Sequence, residues 1–137
     1  MSFIDWEDRY DVNVPEMNGE HRELMRLMNR LHELNDAKAS KHEIGAALGE
    51  LGSFTVRHFQ HEEAYQEKIG FPGLGSHKRI HADLLEKFGA HQRDFEAGSG
   101  VLGERFFHFL KFWLSAHIAG VDRKYGEHQP GVSKLAS

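Results

Sequence analysis

Apolar residues along the chain recur at alternating steps of three and four, the period of a helix with one face turned to a core. One stripe runs Met17, His21, Leu24, Met28, Leu31, Asn35, and a second runs Ile44, Leu48, Leu51, Thr55, His58, Glu62, Tyr65, Ile69. The third reads Leu74, His77, His81, Leu84, Phe88, His91, Phe95, and the fourth Phe107, Leu110, Leu114, His117, Val121. Each patterned segment extends over about twenty residues or more, the length of a bundle helix. Turn-forming residues separate them: Asn35-Asp36 and Ser40, then Gly70-Phe71-Pro72-Gly73, then Ala97-Gly98-Ser99-Gly100. Short connections join antiparallel neighbours, so the pattern predicts an all-α fold, an antiparallel up-down-up-down four-helix bundle. Ahead of it, Trp6, Tyr10, Val12 and Val14 predict an extended N-terminal arm laid across the helices. The expected organisation is one domain over 1–137: arm 1–16, bundle 17–125, and a short polar tail 126–137.

The stripes are interrupted by groups that do not belong in an oily core. His21, His58, Glu62, His77, His81 and His117 all occupy core-facing positions. One such histidine is ordinarily a hydrogen-bonded core residue, but here the same explanation is needed several times over. Depth along the helices is the stronger argument. His21, His77 and His81 lie early in the first and third helices, while His58, Glu62 and His117 lie late in the second and fourth. In an up-down bundle those ends coincide, so the groups converge on one layer. His77 and His81 are four apart, as are His58 and Glu62, and each pair projects from one face. His117 and Asp122 are five apart, roughly 140° in a regular helix. A one-residue bulge or helix end near Gly120 is therefore expected, turning Asp122 back toward His117. Buried imidazoles and carboxylates are costly unless a cation holds them, and two metal ions sharing the carboxylates is the economical count. Imidazole with carboxylate suits iron, manganese, copper, nickel or zinc and selects none of them by itself.

Composition narrows the field further. The chain has 137 residues, no cysteine, 11 histidines and a net charge of −4. Thiolate zinc sites, iron–sulfur clusters and disulfides are excluded, and nothing favours nucleic acid or an anionic membrane. Residues 1–15 carry no basic segment followed by an apolar run and no stretch is long enough to span a bilayer, so a cytoplasmic protein is expected.

The arm from Trp6 to Val14, EHREL with His21, HFQHEE with His58 and Glu62, HKRIH with His77 and His81, and WLSAHIAGVDRKY with His117, Asp122 and Tyr125 together resemble the hemerythrin family, specifically its single-domain bacterial members. All seven ligand positions of that family are filled. The resemblance implies two iron ions with a bridging oxide or hydroxide. One iron would take His77, His81 and His117 and the other His21 and His58, with Glu62 and Asp122 bridging. It also implies an open position for dioxygen, lined by Leu24, Phe59, Trp113, Leu114 and Ile118, residues that equally serve ordinary core packing. Two departures stand out: Asn18, where the family commonly carries an acid, and Gly45, Gly49 and Gly52 within one helix. Those glycines suggest close helix contacts or a locally mobile helix, each costing up to about 1 kcal/mol against alanine. His32, His42, His61, His91, His108 and His128 match no ligand position, and His61 is expected to face outward.

The expected function is reversible dioxygen binding for storage, delivery or sensing, by a protein that is not an enzyme and acts as a monomer. The alternatives are a di-iron redox enzyme (peroxidase, oxidase or nitric-oxide handling) and an iron-binding or metal-free helical module. Against the enzyme, no Glu-x-x-His motif of the carboxylate-rich di-iron oxidases occurs anywhere in the chain.

Overall fold

The computed structural model describes residues 2–128. Four long helices follow one another: α1, Pro15–Asp36; α2, Lys41–Lys68; α3, Leu74–Ala97; and α4, Glu104–Ala116. A π turn, His117–Asp122, continues α4 into a last short helix, α5, Arg123–Glu127. Two expected boundaries move. Helix α1 begins at Pro15, a residue whose fixed φ suits the first helical position, so the arm is shorter than residues 1–16. At the other end Gly126 is buried within α5 and does not open a polar tail. The rest of the expected tail, 129–137, lies outside the described residues.

Local chemistry explains where the helices stop. Ser40 caps α2 by accepting from the Glu43 N–H at 3.1 Å, with Glu43 at the third helical position. The C-terminus of α2 closes in a Schellman motif: Phe71 N–H donates to Gln66 O at 2.9 Å and Gly70 N–H to Glu67 O at 3.1 Å, with Gly70 at φ +66°. Lys41, in the first turn of α2, donates its ammonium to Glu96 O at 2.7 Å and Gly98 O at 3.0 Å, capping the carbonyl end of α3.

Asparagines on α1 clamp the irregular segments. Asn29 pairs with both N–H and C=O of Ile4, at 2.8 and 2.9 Å, and Asn35 does the same to Leu102, at 2.9 and 2.8 Å. Asn18 accepts from Val12 N–H at 3.0 Å and donates to Asp11 at 2.9 Å. Its departure from the family pattern thus serves the arm. The arm is only partly extended, because a 3₁₀ turn spans Asp8–Tyr10. Ile4, Tyr10, Val12 and Val14 are buried by it, and Trp6 receives the Arg22 guanidinium 4.1 Å above its ring.

The α2 glycines divide into two kinds. A Cβ at Gly52 would lie 2.9 Å from the Phe88 ring and one at Gly45 3.4 Å from Phe95, so both let α3 aromatics rest on the α2 backbone. Gly49 faces open space. Gly126 is the most constrained: a Cβ there would fall 1.6 Å from the carbonyl oxygen of Val12. Alanine at Gly126 should therefore prise the arm from α5 and cost about 3 kcal/mol or more. Alanine at Gly49 should be neutral or stabilise by up to about 1 kcal/mol. Denaturant unfolding of the two variants checks the contrast.

Candidate metal centre

Each of the seven polar groups singled out in the sequence reaches one layer at one end of the bundle. His21 lies in the second turn of α1, His77 and His81 early in α3, His58 and Glu62 late in α2, and His117 and Asp122 bound the π turn after α4. All seven are buried, with His21, Glu62 and Asp122 fully enclosed. The π turn solves the spacing of five, because its wider ring brings Oδ1 of Asp122 to 2.9 Å from Nε2 of His117. Gly120 is not sterically required for this, since a Cβ there would meet nothing.

The donor atoms form two groups that share both carboxylates: Glu62, His77, His81, His117, Asp122 and His21, His58, Glu62, Asp122. The sharing is atom by atom. Oε1 of Glu62 faces His81 at 2.9 Å and His77 at 3.4 Å, while Oε2 faces His21 at 3.3 Å and His58 at 3.5 Å. Oδ1 of Asp122 lies 2.9 Å from both His77 and His117, and Oδ2 lies 3.2 Å from His21. Nε2 of His77 and Nε2 of His117 are 3.2 Å apart. Donors about 2.1 Å from one ion and at right angles to each other sit about 3.0 Å apart, so these separations suit shared coordination. The orphaned atoms agree: among the described residues, His81 Nε2, Glu62 Oε1 and both Asp122 oxygens are buried without a hydrogen-bond partner despite such close neighbours. Their lone pairs converge on common points, which is what a pair of cations requires. The residues fit two metal ions.

An outer ring holds the imidazoles by their other nitrogen. Nδ1 of His58 meets Glu20 at 2.6 Å, Nδ1 of His81 meets Glu63 at 2.8 Å, and Nδ1 of His77 meets the Gln66 amide at 2.7 Å. With Nδ1–H donating in each case, Nε2 is left with its lone pair facing the centre. At His77 the amide atom placed at 2.7 Å is Nε2 of Gln66, so this tautomer requires the Gln66 amide turned about with Oε1 accepting. Nδ1 of His21 is buried with no partner among the described residues. Tyr125, fully buried on α5, donates its hydroxyl to Oε2 of Glu62 at 2.7 Å. Sequence reasoning missed this ring. Gln66 had a signal, lying one further four-residue step beyond His58 and Glu62, whereas Glu20 and Glu63 sit beside ligands on the flanks of their stripes, where nothing marks them.

Electrostatics in the cluster follow from burial set against mutual pairing. Burial opposes charging His58, but hydrogen bonds to Glu20 and Glu62 outweigh it and its pKa is pushed up to about 10. Burial likewise opposes charging His21, and the adjacent carboxylates of Asp122 and Glu62 nonetheless raise it. His117 is raised against burial chiefly by the charge of Asp122. Burial alone would raise Glu62, yet the surrounding imidazoles of His21, His58 and His81 hold it well below the usual carboxylate range. Asp122 is lowered too, the charge of the adjacent His117 overcoming burial and the repulsion of Glu62. Tyr125 is driven the other way, by burial and then by the charges of Glu62 and Asp122, so its phenol stays a donor.

The residues matched to an oxygen pocket are all buried: Leu24, Phe59, Trp113, Leu114 and Ile118. Phe59 stacks on His81 with centroids 3.7 Å apart and planes within 4°, and Trp113 meets the edge of Phe59 at 6.0 Å. The Trp113 indole N–H is buried without a partner. Of the other histidines, His61 is exposed, and His91 packs against Phe106 and Phe109 away from the cluster.

A family model described as the hemerythrin HHE cation binding domain matches residues 12–128. The chain is 30% identical to a bacteriohemerythrin from Methylococcus capsulatus, over 92% of this chain and 96% of that one. It is 33% identical to a myohemerythrin from Riftia pachyptila, over 88% of each. Among solved structures, a wild-type hemerythrin superposes with a TM-score of 0.84 at 29% identity, covering 93% of this chain and 98% of that one.

Protons and metal compete for these nitrogens. In protein stripped of metal, His58 contributes stability that is complete below its unfolded pKa near 6.5 and is lost as pH rises through about 10. The lowered Glu62 and Asp122 contribute stability above the ordinary carboxylate range, lost as pH falls through it. Stripped protein should therefore be most stable between about pH 4.5 and 6.5. Ligation needs unprotonated imidazoles, so the rise in Tm on adding ferrous iron anaerobically should grow from pH 5 to pH 8. A metal-induced shift in calorimetry that ignores pH would contradict this ligand set.

Proposed function

The chain belongs to the hemerythrin family, and from that premise we propose that it binds dioxygen reversibly at a two-iron centre, as a store, carrier or sensor of oxygen. The observation that carries this reading is the division of the carboxylates, each directing one oxygen to one donor group and its second oxygen to the other. One iron would take His77, His81 and His117 and the other His21 and His58, with Glu62 and Asp122 offering an oxygen to each. When bound, the irons supply the reversible exchange of electrons with dioxygen.

The protein's part is to hold and to exclude. Glu20, Glu63 and Gln66 fix the tautomers of three ligands, and Tyr125 keeps Glu62 in register. Leu24, Phe59, Trp113, Leu114 and Ile118 keep the centre dry, which denies the bound gas the water and protons that would carry it off as a reduced product. The ligand set is rich in imidazole, and the inner groups include no acid beyond the two bridging carboxylates. That composition favours a binding protein over an oxidase, and any turnover would be a side activity.

The test is an anaerobic optical titration of the iron-loaded, reduced protein with oxygen, followed by stripping under argon. A visible charge-transfer band should appear with oxygen and fade under argon. His77→Ala and His117→Ala should each lose at least one iron per chain and the band with it. A band that never forms, or that persists as a stable oxidised spectrum after stripping, overturns reversible binding in favour of redox turnover or simple metal binding.

A further inference from the structure

One carboxylate outside the ligand cluster is shared by two imidazoles of the same helix. Glu20, on α1, places Oε1 2.6 Å from Nδ1 of His58 and Oε2 2.8 Å from Nδ1 of His61. The two histidines are three apart on α2 and so present to the same neighbouring helix. Their environments are opposite: the His58 side chain is 1% exposed, that of His61 is 60% exposed, and Glu20, at 23%, lies between them. His61 belongs to no ligand group, and Glu20 is its polar contact among the described residues.

A carboxylate on a flexible stem, anchored by one oxygen and half open to water, turns readily about its terminal bonds. Anchoring the second oxygen fixes its plane and keeps the first oxygen aimed at His58. That matters unequally for the two donor groups. In the three-histidine group, His81 and His77 have separate supports in Glu63 and Gln66. In the two-histidine group, Nδ1 of His21 has no hydrogen-bond partner among the described residues, so among these residues polar support of its imidazoles from outside passes through Glu20. Resting on the two-iron reading, we propose that His61 is a positioning residue for the two-histidine iron: by holding Oε2 of Glu20 it keeps Oε1 on His58 and retards loss of that iron.

The experiment is iron release from fully loaded, reduced protein into excess ferrous chelator, followed anaerobically with time. Groups that orient a metal-bound histidine commonly change metal affinity about 10- to 100-fold, and His61 acts one step further out. His61→Ala should therefore speed release of one iron about 3- to 10-fold, leave the other at its wild-type rate, and leave Tm unchanged. His61→Asn, whose amide can stand in for Nδ1–H, should restore slow release. Glu20→Ala should accelerate the same iron more strongly, and adding His61→Ala to it should change nothing further. Equal acceleration of both irons, no acceleration, or a full His61 effect in the Glu20→Ala background each overturns this inference alone. Wild-type protein that takes up fewer than two irons overturns the two-iron reading and this inference with it.

Discussion

The fold must accommodate two fully buried carboxylates, Glu62 and Asp122, that repel each other inside a ring of five imidazoles. Charged oxygens removed from water are tolerable only where positive charge meets them, whether as protons on the histidines or as metal ions. Every helix of the bundle takes part: α1 brings one imidazole, α2 an imidazole and a carboxylate, α3 two imidazoles, and the π turn after α4 the remaining pair. The energy of filling this layer is therefore also energy of closing the bundle end. Metal binding and folding draw on the same contacts.

The π turn and α5 tie that layer to the arm. Asp122 ends the π turn, Tyr125 follows by three and reaches Glu62, and Gly126 comes next against the backbone of Val12. Within five residues the chain thus sets one bridging carboxylate, supports the second, and seats the N-terminal segment. An insertion just after Asp122 would rotate Tyr125 away from Glu62 and Gly126 away from Val12, since a shift of one residue turns a helix by about 100°. The regular remainder of α4 carries no such burden and reads as ordinary aromatic packing.

The helices and the seven inner groups were legible because both depend on periodicity: a polar residue inside an apolar stripe is conspicuous, and its depth follows from counting turns. The spacing of His117 and Asp122 announced an irregularity, and the π turn is its form. Groups whose role depends on the facing helix were not legible. Glu20 looks like any half-exposed acid until α1 and α2 are set in register, and only then does it face His58 and His61 together. Asn29 and Asn35 are equally mute, since their partners are backbone groups of segments 25 and 67 residues away. Asn18 was visible as a departure from the family pattern, but its use was not: one turn before His21, its side chain pairs with the arm.

The outer ring also bears on how the two halves of the centre compare. A carboxylate accepting from Nδ1–H makes an imidazole a stronger base, while an amide does so less. Each donor group contains one imidazole backed by a carboxylate, His58 by Glu20 and His81 by Glu63. Of the other imidazoles, His77 meets an amide and Nδ1 of His21 has no partner among the described residues. Carboxylate backing is thus shared between the donor groups, with one strongly supported imidazole in each.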